Sequence, residues 1–282
     1  MNQLNYITSD TNESDNQIKA VIFDFDGVLS SLYVRIAGPI IVSAKRIKPD
    51  LTQDEIEEST LTVMSTLNAA NKKPSTISLI KYGFKMGKRM GVSNFQVIQF
   101  VLSALFFYMR YRKRIMPKIG VREVLRKIIT QGYKVVLVTN TSTSVIKAAK
   151  KKIPELDSFD LILTRDDVKD IKPNATAFFV AMRTLGLKAN EVISIGDQAS
   201  DIIAGKRAGI RTIGIYHPSL DFLKSHLAEQ NPDFIIKDIR QLPGLLHFLR
   251  DYIIDNIRST IDLTEKTLQD YFTEAKLSET YA

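Results

Sequence analysis

Through the second half of the chain, short apolar runs rich in β-branched residues alternate with stretches whose apolar positions recur at helical spacing. The runs are 134-KVVLVTN-140, 159-FDLILT-164, 191-EVISIGD-197, 211-RTIGIY-216 and 233-DFIIK-237. Between the first four lie SVIKAAKKKI, ATAFFVAMRTLGL and SDIIAGKRAG, and VREVLRKIITQG precedes them all. Several of these helical patterns close near a glycine. Strand, helix, strand in repetition predicts a parallel sheet with helices on both faces. An earlier run, VIFDF, offers a first strand, so six strands are available.

The alternation fails between about Leu32 and Pro117. There DLTQDEIEESTLTVMSTLNAA, STISLIKYGFKMGKRM and SNFQVIQFVLSALFFYMRYRKR read as helices separated by KKP and GV breaks. The segment is therefore expected to be a helical insertion after the first strand. Gly91 to Met109 is nineteen residues without a charge, close to a membrane-spanning length. Ser93, Asn94, Gln96, Gln99 and Ser103 dilute it, so a buried insertion helix is expected instead. After Pro243 an amphipathic pattern, LLHFLRDYIIDNIRSTIDLTEKTLQDYF, runs toward the end of the chain. The expected division is a polar leader over 1–17, a core over 18–31 and 117–250, the helical insertion over 32–116 and a helical extension over 251–282.

Charge changes this picture in one place. Of a formal net charge of +8, residues 35–118 hold fifteen basic and five acidic side chains, a net of +10, which leaves the remainder at −2. Between Glu58 and Glu123 there are twelve Lys or Arg and no acid. Such a field favours anionic partners: phosphate esters, nucleic acid or a lipid surface. The chain has no cysteine, which excludes disulfides, thiolate zinc sites and cysteine nucleophiles and permits a reducing compartment. Residues 1–17 show neither a basic start nor an apolar core, so no export signal is read there and a cytoplasmic location is expected.

Ligands of a parallel sheet collect at the carboxyl ends of its strands, where loops and helix N-termini converge. Four polar features fall at that edge. Asp24 and Asp26 end the first strand, Thr139 and Asn140 the second, Lys172 follows the third, and Asp197 with Asp201 follows the fourth. Asp24, Asp26 and Asp197 cannot all stay ionised in a confined site without a cation. Mg²⁺ suits them, because it takes a few carboxylates and completes its octahedron with water and phosphate oxygens. Lys172 adds a compact positive charge and Thr139 a hydroxyl donor, so the set points to phosphoryl chemistry.

DFDGVL, VLVTN, DIKPNATAF and IGDQASDIIAGKRAG resemble, in order and spacing, the four motifs of the haloacid dehalogenase superfamily. The likeness is greatest to its phosphatases with a helical cap inserted after the first strand, such as phosphoglycolate phosphatase and the β-phosphoglucomutase group. It implies an α/β fold: a Rossmann-like parallel sheet core with an inserted all-helical cap domain, here followed by a C-terminal helical extension. It implies that Asp24 is the nucleophile and Asp26 the proton carrier, with Thr139 and Lys172 completing the catalytic set. Gly27, Thr139, Asn140 and Lys172 would bind substrate. Mg²⁺ would be held by Asp24, Asp197 and Asp26 through its carbonyl, with Asp201 orienting that shell or adding a ligand.

Ser31, Gln198 and Ala175 depart from the common pattern and weaken assignment to any one subfamily. Asp26 argues against a dehalogenase, since displacing a halide needs no leaving-group acid. The expected activity is Mg²⁺-dependent hydrolysis of a small anionic phosphoester through an aspartyl-phosphate. A phosphomutase sharing that intermediate is the enzymatic alternative. Specificity would come from the insertion, where Lys81, Lys85, Lys88 and Arg89 share a helical face, either solvated or meeting a second anionic group. No nucleic-acid partner is expected. Peripheral membrane contact through FVLSALFFYMRYRKR is the alternative of a different class, and the oligomeric state is open.

Overall fold

The computed structural model describes residues 17–31, 33–52, 54–56, 76–216 and 227–256. All six expected strands form: β1 (Ala20–Phe23), β2 (Lys134–Val138), β3 (Leu161–Leu163), β4 (Val192–Gly196), β5 (Arg211–Ile215) and β6 (Phe234–Ile236). Every pairing is parallel and the order is β3-β2-β1-β4-β5-β6. This order reverses direction at β1 and β4, which opens a crevice beyond their carboxyl ends.

The β1 run AVIF is buried throughout because its alternate residues serve two different cores. Val21 and Phe23 join Leu137, Ile193 and Ile195 on one face, under helices α4 (Val121–Thr130), α5 (Thr143–Lys150) and α8 (Leu242–Asn256). Ala20 and Ile22 join Val136 and Val138 on the other, against Phe178, Ala181 and Met182 of α6 (Thr176–Leu185) and Ala204 of α7 (Ala199–Arg207). With period-two side chains and a helix layer on each side, no strand position can be polar without cost.

The insertion contains α1 (Gly38–Ile47), α2 (Thr76–Arg89) and α3 (Asn94–Tyr111), and α1 follows a π-helical turn at Tyr33–Ala37. Ala44, Leu51, Ile56, Met86, Met90 and Phe100 give it a core of its own. The helix read over 50–70 falls almost wholly outside the described residues, as do residues 1–16 of the leader and the extension beyond Asn256. Helix α1 has no counterpart among the helices the sequence pattern predicts. Gly38-Pro39 looks like a turn, yet Pro39 sits in the first helical turn, where its missing N–H costs nothing. Helix α3 begins where the pattern predicts, at a Ser93/Gln96 capping box, but it corrects the expectation of a buried helix. Val97 and Phe100 are buried, whereas Phe95, Leu102, Phe106 and Met109 on the opposite side are exposed. Among the described residues no helix is long and apolar enough to cross a membrane. Lys81, Lys85, Lys88 and Arg89 are all exposed on α2.

The two connections to the insertion run side by side. Ser31 N–H donates to Met116 O (2.8 Å) and Lys118 N–H to Leu29 O (3.1 Å), and Ser30 bridges antiparallel to Pro117. The insertion thus enters and leaves directly beside the end of β1.

Candidate active site

Asp24 is the first residue past β1, and its N–H still donates to Ile195 O of β4 (3.0 Å). The backbone ladder therefore holds its carboxylate at the mouth of the crevice, where the residue is buried. Gly27 then turns the chain with φ +83°, closed by a bond from Gly27 N–H to Ser30 O (2.8 Å). Besides that left-handed backbone, a Cβ on Gly27 would overlap the Asp197 carboxylate. Gly27→Ala is expected to destabilise the fold by about 2 kcal/mol or more and to displace Asp197. Thermal unfolding and phosphate release check this together, and an active, fully stable variant would contradict it.

The second wall comes from β4. Asp197 follows Gly196, and Asp201 lies in the first turn of α7, where its Oδ2 accepts from Gln198 N–H (3.0 Å). Gly196 carries no side chain because Asp201 occupies the space its Cβ would fill. Oxygens of Asp24, Asp197 and Asp201 all lie within 4.8 Å of one another.

Lys172 reaches this group from the loop after β3. Its buried ammonium contacts Asp24 Oδ1 (2.6 Å), Asp201 Oδ1 (2.6 Å) and the Val138 carbonyl (2.8 Å), which uses all three of its protons. Burial alone would lower its pKa, but the charges of Asp201 and Asp24 raise it above the ordinary lysine value. Asn140 fixes that loop: its Nδ2 donates to Lys172 O (3.0 Å) and its Oδ1 accepts from Lys172 N–H (3.0 Å). The side chain expected to bind substrate thus also positions Lys172. Thr139 is buried at the end of β2, and its Oγ1 accepts from Thr141 N–H (3.1 Å).

Asp26 is placed differently from the other carboxylates. One of its oxygens meets the guanidinium of Arg35 and the other accepts from the Thr141 hydroxyl. Its side chain is therefore outside the metal-competent trio, leaving only its carbonyl for the role implied there. Arg35 is itself buried, donates through Nε to Arg112 O (2.9 Å) and lies over the Phe25 ring at 5.5 Å. It ties Asp26 to both connections of the insertion. Neither Arg35 nor Thr141 stands out in the sequence, although a lone arginine within LYVRIAGPII is a charge with no polar neighbours. Lys118, also unread, donates to Gly27 O (2.7 Å), and its pKa is lowered by burial against the pull of Asp197 and Asp238.

The trio fits a divalent cation on its own chemistry. Of three buried or half-buried carboxylates only Asp24 and Asp201 contact Lys172, and Asp197 Oδ1 is buried with no hydrogen-bond partner. Such an orphaned anion is costly unless something binds it. Burial pushes Asp197 well above the usual carboxylate range, helped by the charges of Asp201 and Asp24. Asp24 is pushed up to about 7, by burial above all, with Lys172 pulling back and Asp201 and Asp26 pushing further.

With a folded pKa of about 7 against an unfolded value of 3.8, folded Asp24 holds its proton where the unfolded chain has lost it. Stability of the metal-free protein then falls as pH rises through that window. The melting temperature after chelation is expected to drop between about pH 4 and pH 7, and Mg²⁺ to raise it more at the upper end. A flat profile with no Mg²⁺ response would argue against a cation at the trio.

A family model for haloacid dehalogenase-like hydrolases matches residues 21–215. The chain is 35% identical over 139 residues to pyrophosphatase PpaX of Halalkalibacterium halodurans, covering 48% of this chain and 60% of that protein. It is 30% identical over 131 residues to a phosphoglycolate phosphatase of Pseudomonas fluorescens, covering 45% and 46% respectively. In both cases the match spans less than two thirds of the relative's own length. A crystal structure of a predicted phosphoglycolate phosphatase from Haemophilus somnus superposes with a TM-score of 0.60 at 21% identity. That superposition covers 81% of this chain and 98% of the other, and at such identity it shows a shared fold.

Proposed function

The chain belongs to the haloacid dehalogenase-like hydrolases, and from that premise we propose that it is a Mg²⁺-dependent phosphomonoesterase acting on a small phosphorylated metabolite. The observation that carries this reading is the pairing of Asp24 with Lys172 beside the orphaned Asp197 oxygen. A carboxylate nucleophile, a fixed positive charge and a cation site then share one buried crevice.

Asp24 attacks phosphorus, forming an Asp24–phosphate bond as the bond to the leaving oxygen breaks. Asp26 gives its proton to that oxygen, then takes one from the water that attacks the phosphoryl group and releases phosphate and Asp24. Lys172 holds Asp24 in place and balances charge on the phosphoryl oxygens, and the Thr139 hydroxyl donates to one of them. Asp24, Asp197, Asp201 and the Asp26 carbonyl would hold Mg²⁺, which supplies positive charge to the site's anions when bound. The insertion, hinged beside Asp26, limits water and contacts the leaving group.

Phosphate release from a panel of phosphomonoesters, with and without Mg²⁺, tests the proposal. No turnover of any member would overturn it, and an isomerised sugar phosphate without free phosphate would assign a mutase. Candidate substrates are sugar phosphates and phosphoglycolate.

Arg35 acts as a positioning residue for Asp26. Arg35→Met is expected to slow alkyl phosphates by about 10²-fold, because their alkoxide must be protonated as it leaves. In the first, phosphoryl-transfer step, read as the burst of p-nitrophenol, p-nitrophenyl phosphate, whose leaving group departs unaided, is expected to be nearly unaffected. Equal losses on both substrates would reduce Arg35 to a structural role.

A further inference from the structure

We propose that the outer face of α3 rests on the surface of an anionic lipid bilayer. Phe95, Ile98, Leu102, Leu105, Phe106 and Met109 recur at three- and four-residue spacing, so they form one stripe along the helix. Their exposures run from 36% for Leu105 to 69% for Phe95, values that leave the whole stripe in water. The inward face is already satisfied. Val97 and Phe100 are buried, and α2 packs against α3 closely enough that a Cβ on Gly83 or Gly87 would press on Val101 or Val97. Ile77 and Ile80 of α2 add further exposed apolar surface. Among the described residues helix α3 is thus apolar on both sides with a partner on only one, and large apolar patches of this kind mark interaction surfaces.

Charge selects the partner. Neither α2 nor α3 carries an acidic residue, nor does anything between them. Lys81, Lys85 and Lys88 are exposed on α2, and Arg110, Lys113 and Arg114 are exposed where the α3 stripe ends. A second copy would bring the same positive field against itself, which disfavours self-association. Nucleic acid would satisfy the charges, but the stripe's two rings, Phe95 and Phe106, stand eleven residues apart with the aliphatic Ile98, Leu102 and Leu105 between them, which favours an apolar partner over successive stacked bases. An apolar stripe beside a basic cluster is what a helix lying in the headgroup region of an anionic membrane requires. The helix lies on this surface and does not cross it, consistent with the absence of any spanning helix among the described residues.

The inference is independent of the catalytic reading, and flotation tests it without reference to activity. The full chain is floated with phosphatidylcholine vesicles, alone or with about one third phosphatidylglycerol, at low and moderate salt. Binding is expected only with the anionic lipid and is expected to weaken with salt. Leu102→Glu/Phe106→Glu should reduce partitioning about ten-fold, as should Lys113→Glu/Arg114→Glu, while melting temperature and turnover of a soluble phosphoester stay unchanged. No flotation of the unaltered chain overturns the proposal, as does unchanged flotation of both variants. It is also overturned if the Leu102/Phe106 variant dissolves a dimer, lowers the melting temperature or raises KM for the soluble substrate. Those results would assign the stripe to self-association, to the chain's own residues or to the substrate cleft. Retention of RNA in place of vesicles would assign it to nucleic acid.

Discussion

Asp24→Asn is expected to abolish turnover, lowering kcat by about 10⁴-fold or more, while the protein stays folded. The amide is nearly the same size as the carboxylate but is a poor nucleophile, so the Asp24–phosphate bond cannot form. Stability should not suffer in the metal-free protein. Asp24 is pushed up to about 7, chiefly by burial, so its charge costs the fold energy above that pH. Removing the charge also leaves Lys172 its contact with Asp201. Phosphate release and thermal unfolding at about pH 8 read the two effects separately. An active Asn variant would sink the covalent mechanism. An inactive but unfolded one would show that Asp24 is needed for the fold instead.

Lys172→Met should damage both fold and activity. Its ammonium is, among the described residues, the one cation in contact with Asp24 and Asp201, and both partners are buried. Breaking a buried ion pair from one side leaves uncompensated charge, which costs about 3 to 5 kcal/mol. Methionine matches the stem in length, so the loss is of charge and hydrogen bonds and not of volume. Because the abandoned carboxylates include two of the cation-competent trio, Mg²⁺ should restore more stability to the variant than it adds to the unaltered protein. Chemical denaturation with and without Mg²⁺ measures this difference. Equal responses in the two proteins would mean that Lys172 and the cation do not share the same anions.

The two variants probe opposite sides of one contact, and their contrast is informative. The nucleophile is a charge the fold tolerates, whereas the lysine is a charge the fold needs. This asymmetry follows from the groups present: Asp24 and Asp201 share one ammonium, and Asp197 adds a third carboxylate within 4.8 Å of both. Loss of one anion relieves the site, and loss of the cation aggravates it.

Much of this was legible in the chain. The β-branched runs predicted six parallel strands, and all six form within about two residues of the expected bounds. Asp24, Thr139, Lys172, Asp197 and Asp201 were readable because the carboxyl edge of a parallel sheet is a consequence of strand direction alone. Less was legible where partners lie far apart in sequence. Arg35 reaches Asp26 nine residues away but is held by the carbonyl of Arg112, across the whole insertion. Asn140 looked like a ligand for substrate, yet a loop thirty-two residues later takes both of its amide groups. Helix α3 was read as buried from its apolarity, because hydropathy reports how much a segment prefers to leave water and not whether a neighbour is there to cover it.

Sequence by itself determined the parallel sheet, the placement of the acidic and basic groups on its carboxyl edge and the basic insertion, because periodicity and strand direction are local properties of the chain. Tertiary structure alone decided which carboxylates share Lys172, which one is paired with Arg35, and which face of α3 stays in water. Those outcomes depend on distances between segments that only packing brings together, and both charge pairing and exposure are set by such distances.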